Sequence, residues 1–387
     1  MTTSAPSIVV TPSHVGSKRL ISLDLFRGAT IAGMIVVNNG GNDATYWPLK
    51  HAEWNGWTPT DLVFPFFLFI VGVSIVFSFQ ARLARGDSRV SLMLHAVRRS
   101  VTIFLIGLFL NAFPYFHIAT WRIPGVLQRI AVAYLIAAVL TLYTTTYVRI
   151  ACVAGFLIGY WVLMRYMPVP GFGVPGRDIP LLDPDANLVA WLDRKLMMGH
   201  LYEGTRDPEG LLSTLPAFAT ALLGVLTGEW LRSPRSSRQK MTGMFLAGGI
   251  GIGAGELWNL WFPINKKLWT SSYVLFAAGM ALVCLAVCYW VMDIREWNGA
   301  WTKPFLIFGS NAIAAYVISE VLGIAGSAFH VRGDHHQFIN YQQYVFRNIF
   351  ASIHPAGLAS LAYSLSFLFL CFLPVWWMYR RKIFLKV

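Results

Sequence analysis

The stretch TDLVFPFFLFIVGVSIVFSFQ, from Thr60 to Gln80, decides the fold class of this chain. It carries a single charged side chain, and it is long enough to cross a bilayer as an α-helix, which takes about 20 mostly apolar residues. Nine further apolar stretches of comparable length lie at roughly 23–40, 98–115, 124–144, 149–167, 209–231, 241–262, 270–292, 303–325 and 358–379. We therefore predict an all-α polytopic membrane protein with about ten transmembrane helices.

The composition supports this class and argues against a nucleic-acid-binding protein. Hydrophobic residues make up 56% of the 387 residues, charged residues make up 13%, and the mean hydropathy is +0.55. Soluble domains typically carry about 25% charged residues. The net charge of +13 comes from short basic clusters between apolar runs, which is typical of a membrane surface rather than of one basic face. The expected partner is a lipid bilayer.

The basic clusters also predict the orientation of the chain. If all ten stretches span the membrane, the clusters at 18–19, 82–99, 232–240 and 380–386 fall on one side. Because Lys and Arg accumulate in cytoplasmic loops, we expect both termini in the cytoplasm. Lys266 and Lys267 are the main exception, since this topology puts them outside.

The same pattern predicts a tail and one domain. Residues 1–19 lack the apolar segment of a signal peptide and are expected to form a flexible cytoplasmic tail. Residues 20–387 are expected to form a single transmembrane domain with outer loops at 41–59, 168–208 and 326–357.

Polar residues within apolar helices are costly and usually mark function or buried pairing. Most of them fall at one depth near the outer face: Asn38, Asn39, Asp61, Asn111, Gln128, Arg129, Glu256, Asn259 and Glu320. Fewer fall near the inner face: Asp24, Arg27, Glu229 and Asn311. This layer predicts a site open to the outer face. The alternative is a belt of interfacial ion pairs.

His51 is the best candidate for a general base in that layer. An ordinary imidazole, with a pKa of about 6.5, takes up and releases protons near neutral pH. His51 lies in a loop rich in aromatic residues, between Lys50 and the sequence AEWNG. Asn38, at the end of the first apolar stretch, offers a side-chain amide that can donate to a developing oxyanion.

Two other patterns are weaker. The glycine-rich sequence GGIGIGAGE, 248–256, lies inside an apolar stretch, so it indicates close helix packing rather than a dinucleotide site. The histidines of the outer loop 326–357 have no second block of ligands, so no metal site is expected.

Several sequence blocks together resemble the heparan-α-glucosaminide N-acetyltransferase family of transmembrane acyltransferases. They are RLISLDLFRG, VVNNGG, KHAEWNGWTPTDLVFPFFLFIVGVS, PGVLQRIAV, DPEGLLSTLP, PINKKLWTSSYVL and the C-terminal KIFLK, and they occur in that order from residue 19 onward. The resemblance implies an enzyme that moves an acetyl group from cytosolic acetyl-CoA to a terminal glucosamine amine across the membrane. It also implies that His51 is the catalytic residue, with Asn38, or alternatively Asn39, as its partner.

The remaining site residues follow from this resemblance and from the polar layer. Candidates for binding the amino sugar are Asp61, Glu320, Glu256, Asn39, Trp54 and Asn55. Candidates for binding acetyl-CoA are Arg27, Arg98 and Arg99 for the phosphates, since Arg binds phosphate bidentately, and Gln128 and Arg129 for the arm or acetyl group. The arginines equally fit ordinary cytoplasmic positive charges. Direct transfer and a covalent acetyl-His51 intermediate both remain open.

The chain starts almost at its first apolar stretch, unlike the animal lysosomal members of the family. We therefore expect a multi-pass protein of a bacterial inner membrane that acts on a small or cell-wall amino sugar, with homo-oligomerisation expected from the resemblance. Two other functions remain as alternatives, namely an amino-sugar transporter and an O-acyltransferase of envelope polysaccharide.

Overall fold

The computed structural model describes residues 20–332 and 337–385, so the tail expected at residues 1–19 lies outside the described residues. Helices dominate these ranges. One small antiparallel sheet pairs β1 (His330–Arg332) with β2 (Phe338–Asn340). The predicted all-α class is confirmed.

Thirteen α-helices follow one another along the described residues. They are α1 (Ile21–Asn38), α2 (Val63–Leu83), α3 (Arg89–Ala112), α4 (Val126–Tyr143), α5 (Thr146–Tyr166), α6 (Leu188–Met197), α7 (Thr214–Arg232), α8 (Ser237–Asn259), α9 (Ser271–Tyr289), α10 (Lys303–Ser310), α11 (Ala312–Ala328), α12 (Tyr341–Val345) and α13 (Ala356–Arg380). Each of the ten predicted apolar stretches coincides with a helix or a pair of helices. Most ends are shifted by a few residues, and α3 begins nine residues before the predicted start at 98.

Eight of these helices are long and apolar enough to cross a membrane, within the part of the chain that the structure describes. The pair α10 and α11 makes nine if it is counted as one bent span. The tenth predicted stretch, 241–262, forms most of α8, whose six glycines lower its hydropathy below that of the other spans. The polytopic class is thus confirmed, with eight or nine spans by length and composition against the ten predicted.

The predicted stretch 303–325 is not one straight helix. It breaks at Asn311, where α10 and α11 meet at an angle of 81°. The buried Asn311 side chain donates to the carbonyl of Ile383 at 3.0 Å and accepts from the backbone N–H of Leu385 at 3.1 Å. The break therefore holds the C-terminal segment against the bundle.

Glycines set two close helix crossings. A Cβ built on Gly72 of α2 would lie 1.9 Å from the carbonyl oxygen of Ala221 in α7. A Cβ on Gly28 of α1 would lie 1.7 Å from the carbonyl oxygen of Phe305 in α10. Since real Cβ atoms never approach so closely, α1 and α2 pack backbone to backbone against their partners.

The bundle has two chemically different ends. We call one the basic end, where the N-terminal turn of α1, the C-terminal end of α2 and the N-terminal half of α3 surround a common cavity that Arg82 and Arg99 line. We call the other the loop end, where the segments 39–62, 113–125, 167–213 and 260–270 meet. Helices α1 and α2 run the whole way between the two ends.

Candidate active site

His51 lies at the loop end, between α1 and α2, and contacts a buried carboxylate. Its Nδ1 is 2.7 Å from Oδ1 of Asp61. The Asp61 side chain is 1% exposed, whereas that of His51 is 46% exposed. A carboxylate at Nδ1 favours the tautomer that carries its proton there and leaves a lone pair on Nε2. The pair therefore presents an oriented base toward the outside of the bundle.

The other oxygen of Asp61 is fully used by its own loop. Oδ2 accepts from the backbone N–H of Ala52 at 3.0 Å, from that of Thr58 at 3.0 Å and from the Thr58 hydroxyl at 3.1 Å. Thr58 and Asp61 together form a capping box at the start of the turn Pro59–Leu62. A buried carboxylate with these partners orients His51. Sugar binding by Asp61 stays a prediction.

Lys266 contacts the same pair from the segment 260–270. Its Nζ lies 3.1 Å from Nδ1 of His51 and 3.7 Å from Oδ1 of Asp61. We did not predict Lys266 as a site residue. The sequence did contain an indication of its role. Lys266 and Lys267 are the two lysines that the predicted topology places outside, although basic residues usually accumulate in cytoplasmic loops.

The WNG sequence fixes the loop against the segment 260–270. Asn55 accepts from the side-chain amide of Asn265 at 3.2 Å, and the backbone N–H of Gly56 donates to Ile264 at 2.8 Å. Gly56 has φ +93°, a conformation that favours glycine. Trp54 donates from Nε1 to the carbonyl of Leu182 at 2.7 Å. Trp54 and Asn55 thus hold the loop in place, and sugar binding by these two residues stays a prediction.

Asn38 and Glu320 meet at the loop end of the helices that carry them. The Glu320 carboxyl lies close to the side chain of Asn38, which is exposed at the last residue of α1. Among the described residues, the side-chain hydrogen-bond and ion-pair partners of His51 are Asp61 and Lys266. The structure thus brings Asn38 to Glu320, and the role of Asn38 as the partner of His51 stays a prediction.

Asn39 and Glu256, the two other predicted sugar ligands, lie apart from His51. Asn39 is buried, donates from its side chain to the carbonyl of Ile35 at 2.8 Å and accepts at its own carbonyl from Ser364. These bonds cap α1 and tie it to α13. Glu256 lies on an exposed face of α8 and accepts from Asn259 at 3.2 Å. Neither side chain contacts the His51 pair.

A cavity of about 820 Å³ opens at the basic end. Among its lining residues are basic side chains from three helices and the short link between two of them: Arg27, Arg82, Arg85, His95 and Arg99. Asp24 and Asp87 also line it, so basic groups outnumber acidic ones. Such a cavity has the charge to attract an anionic molecule.

Two of the three arginines predicted to bind the phosphates of acetyl-CoA line this cavity. Arg27 donates to the Ser74 hydroxyl at 2.8 Å and to Asp24 at 3.1 Å. Arg99 lies over the Tyr134 ring at 4.9 Å, and its buried Nε has no hydrogen-bond partner among the described residues. Arg98 is exposed and does not line the cavity. Arg82, Arg85 and His95 line it without having been predicted.

A narrow apolar cavity of about 10 Å³ lies next to the large one. Both cavities share Phe67, Leu127, Ile130 and Ile313 in their walls. The narrow cavity adds Met34 of α1 and Tyr316 of α11, each four residues before Asn38 and Glu320 respectively. Since residues four apart share one helix face, the cavities lead from the basic end toward the Asn38–Glu320 pair.

Gln128 and Arg129 lie on other faces of α4. The Gln128 amide packs against Gly107 and Gly125, whereas Arg129 is buried and donates to the Ser213 hydroxyl at 2.5 Å. Neither residue lines the two cavities described above. Their assignment to acetyl-CoA therefore stays a prediction, without a contact to the cavity.

Arg129 and the buried Asp193 both form hydrogen bonds to the segment 207–213. Asp193 of α6 is completely buried and accepts from the backbone N–H of Leu211 at 2.9 Å, while its Oδ2 has no partner among the described residues. Burial raises the pKa of Asp193 to about 7. Gly210 makes room for it, since a Cβ there would lie 1.9 Å from Oδ2.

Asp193→Asn is expected to change how stability depends on pH. The folded-state pKa of about 7 lies above the ordinary value of 3.8, so the folded state holds this proton more tightly. Its contribution to stability is therefore complete below pH 4 and is lost as the pH rises through 7. Asparagine keeps the Leu211 hydrogen bond without a charge. In detergent, the variant should have a higher Tm than wild type at about pH 8 and a nearly equal Tm at about pH 4. An equal difference at both pH values would contradict the expectation.

Among the described residues, no three His, Cys, Asp or Glu side chains are grouped as they would be around a metal ion. The candidate site consists of the His51–Asp61–Lys266 cluster at the loop end and the cavity at the basic end.

The fold and these two features define a polytopic membrane protein with polar chemistry at opposite ends of one helical bundle. Residues 19–253 match the family model described as "Heparan-alpha-glucosaminide N-acetyltransferase, catalytic". The chain is 33% identical to the heparan-alpha-glucosaminide N-acetyltransferase of Homo sapiens, with 78% of this chain and 53% of that protein covered. It is also 33% identical to the Mus musculus protein of that name, with coverages of 79% and 54%.

The chain therefore belongs to the heparan-alpha-glucosaminide N-acetyltransferase family, a family of transmembrane acetyltransferases. It spans about half the length of the curated relatives it matches. The family resemblance predicted from the sequence is confirmed.

Proposed function

We propose that this protein transfers the acetyl group of acetyl-CoA, bound at the basic end, to the amine of glucosamine or a related amino sugar at the loop end. His51 is the general base. The observation that carries the proposal is the pairing of an oriented histidine at one end of the bundle with a basic cavity at the other, in a member of an acetyltransferase family.

The basic cavity suits the nucleotide part of the donor. CoA carries several phosphate charges, and Arg27, Arg82, Arg85 and Arg99 line the cavity. Arginine is well suited to phosphate because its planar guanidinium donates two parallel hydrogen bonds. Arg98, exposed beside this cavity, contributes at most a general attraction to the donor.

The thin arm of the donor would reach from the basic cavity through the narrow apolar one. Asn38 follows Arg27 by eleven positions along α1, which corresponds to about 17 Å along the helix axis. The narrow cavity holds about 10 Å³, so the arm requires Met34, Phe64 and Tyr316 to move apart. Apolar walls suit the uncharged arm and keep water from the thioester.

At the loop end, Nε2 of His51 accepts a proton as the amine nitrogen attacks the thioester carbon. The carbonyl oxygen then carries negative charge, which needs a hydrogen-bond donor. Asn38 has two amide N–H groups, so it can interact with the neighbouring Glu320 through one and donate the other to this oxygen. When the C–S bond breaks, the imidazolium returns its proton to the CoA sulfur. Glu320 is a candidate for holding the sugar.

A covalent route uses the same residues. Nε2 of His51 would first take the acetyl group and release CoA, and the amine would then attack the acetyl-imidazole. Steady-state kinetics with both substrates varied distinguish the two routes. Converging double-reciprocal plots indicate direct transfer in a ternary complex, and parallel plots indicate an acetyl-His51 intermediate.

The cellular setting belongs to the same proposal. Acetyl-CoA from the cytoplasm reaches the basic end if both termini face the cytoplasm, and the loop end then faces the periplasm of a bacterial inner membrane. The human and mouse relatives are named for a heparan glucosaminide, which supports an amino sugar as acceptor. We also propose a homo-oligomer.

An assay with purified protein in detergent, labelled acetyl-CoA and glucosamine tests this function. We expect labelled N-acetylglucosamine and release of one CoA per acetyl group transferred. Alkali-labile ester products would instead indicate an O-acyltransferase of polysaccharide. Accumulation of glucosamine in reconstituted vesicles without CoA release would indicate a transporter.

A further inference from the structure

The two adjacent lysines at the loop end have different partners. Lys267 donates to Glu203 at 3.0 Å and lies 5.8 Å from the Trp54 ring. Lys266 turns the other way, so that its Nζ lies 3.1 Å from Nδ1 and 3.4 Å from Nε2 of His51. Lys267 therefore belongs to the neighbouring loop, and Lys266 belongs to the histidine site.

The backbone on either side of Lys266 is fixed. Asn265 is fully buried, accepts from the N–H of Leu268 at 2.9 Å and donates to Asn55 at 3.2 Å. Ile264 accepts from the N–H of Gly56 at 2.8 Å. The Lys266 side chain itself is 21% exposed. These contacts distinguish Lys266 from a freely moving surface lysine.

Charged groups from three segments face Lys266. Asp61 lies 3.7 Å away, Glu209 approaches from the segment 207–213, and Lys267 is its chain neighbour. The pKa of Lys266 lies below its ordinary value, because burial and the neighbouring Lys267 lower it more than Asp61 and Glu209 raise it. On the His51 side, the ammonium of Lys50 is turned away and donates to the carbonyl of Asp43.

These contacts set two opposite influences on His51. The buried carboxylate of Asp61 stabilises the imidazolium form, in which Nε2 has no lone pair to accept a proton. The ammonium of Lys266 lies close to both ring nitrogens and destabilises that form. The two charges therefore act on His51 in opposite directions.

We propose that Lys266 is a positioning residue of the acetyl-transfer site, whose charge balances Asp61 so that His51 keeps its base form at neutral pH. This inference rests on the proposed function, since it assigns Lys266 a role in the reaction of His51. It predicts that removal of Lys266 and removal of Asp61 act in opposite directions on the pH dependence.

The test is the pH profile of kcat/KM for acetyl transfer between about pH 5 and pH 9. Lys266→Met keeps the apolar stem without the charge, and we expect it to move the acidic limb of the profile upward by about one pH unit or more. The variant should lose most of its activity near pH 7 and recover it at higher pH. Lys266→Arg should restore the wild-type profile.

Two further variants make the test specific. Lys267→Met removes an adjacent charge whose partner is Glu203 and should leave the acidic limb in place. Asp61→Asn in the Lys266→Met background removes both influences, so the acidic limb should return toward its wild-type position. A purely structural role for Lys266 predicts a fall in activity at all pH values, with no return in the double variant.

Failure of this inference and failure of the proposed function give different results. If wild type forms labelled N-acetylglucosamine but Lys266→Met keeps the wild-type acidic limb, the role of Lys266 is refuted and the function stands. If wild type transfers no acetyl group, the proposed function falls and takes this role with it. Thermal unfolding in detergent checks that each variant is folded.

Discussion

Replacing His51 with alanine is expected to lower acetyl transfer by about 10²- to 10⁴-fold, the range that general base catalysis supplies. The imidazole is the exposed member of a pair whose other member is almost completely buried. Its loss removes the proton acceptor without opening a cavity in the core. The Tm in detergent and the affinity for acetyl-CoA should therefore stay close to those of wild type.

His117 provides the matched control. It is an exposed histidine at the loop end whose ring stacks on Tyr115 and lies outside the His51 cluster. His117→Ala should keep wild-type rates. Near-normal transfer by a folded His51→Ala protein would exclude His51 from the chemistry.

Added imidazole extends the test of His51. Since the side chain is 46% exposed, a small base from solution can occupy the space left in His51→Ala. We expect partial recovery of the rate with imidazole at millimolar concentration, and none in Asp61→Asn, where the ring is still present. Recovery in both variants would argue against the base role.

Much of the fold could be predicted because hydropathy directly reports membrane-spanning helices. The ten apolar stretches all correspond to helices in the structure. The break at Asn311 was not predicted, since no proline marks it. It depends on a buried side chain that pairs with residues more than seventy positions later, Ile383 and Leu385. Such long-range pairing has no local signature.

The site was only partly predictable for a related reason. The depth of a residue can be estimated from its position along a helix, and this placed His51, Asn38, Asp61 and Glu320 at one end. The face that a residue occupies depends on tertiary packing. Depth alone therefore could not show that Asp61 orients His51, or that Gln128 and Arg129 face away from the cavity.

Arg98 and Arg99 offer the sharpest test of the donor site, because neighbouring residues on one helix point about 100° apart. Arg99 lines the basic cavity, and its Nε is buried without a partner among the described residues, whereas Arg98 is exposed outside the cavity. Both side chains carry the same charge at nearly the same depth. A general attraction to the donor would thus depend on both arginines equally.

Arg99→Gln is expected to raise the KM for acetyl-CoA by roughly tenfold to a hundredfold, because a hydrogen bond to a charged group contributes about 1.5–3 kcal/mol. Arg98→Gln should change it by less than about fivefold, as exposed charges contribute roughly 0–1 kcal/mol. The KM for glucosamine and the kcat at saturating donor should stay near wild type in both variants, because the acceptor binds at the opposite end of the bundle. Equal effects of the two substitutions would mean that the cavity does not bind the donor phosphates.

The donor analogue acetyl-dephospho-CoA, which lacks the 3′-phosphate, identifies the phosphate that Arg99 contacts. If Arg99 binds the 3′-phosphate, wild type should use the analogue as poorly as Arg99→Gln uses acetyl-CoA, and the substitution should have little further effect. If it binds the pyrophosphate, the substitution should weaken both donors by the same factor, since the effects of independent contacts add. In either case the guanidinium fixes the depth of the nucleotide, and the length of α1 from Arg27 to Asn38 then determines whether the thioester reaches the loop end.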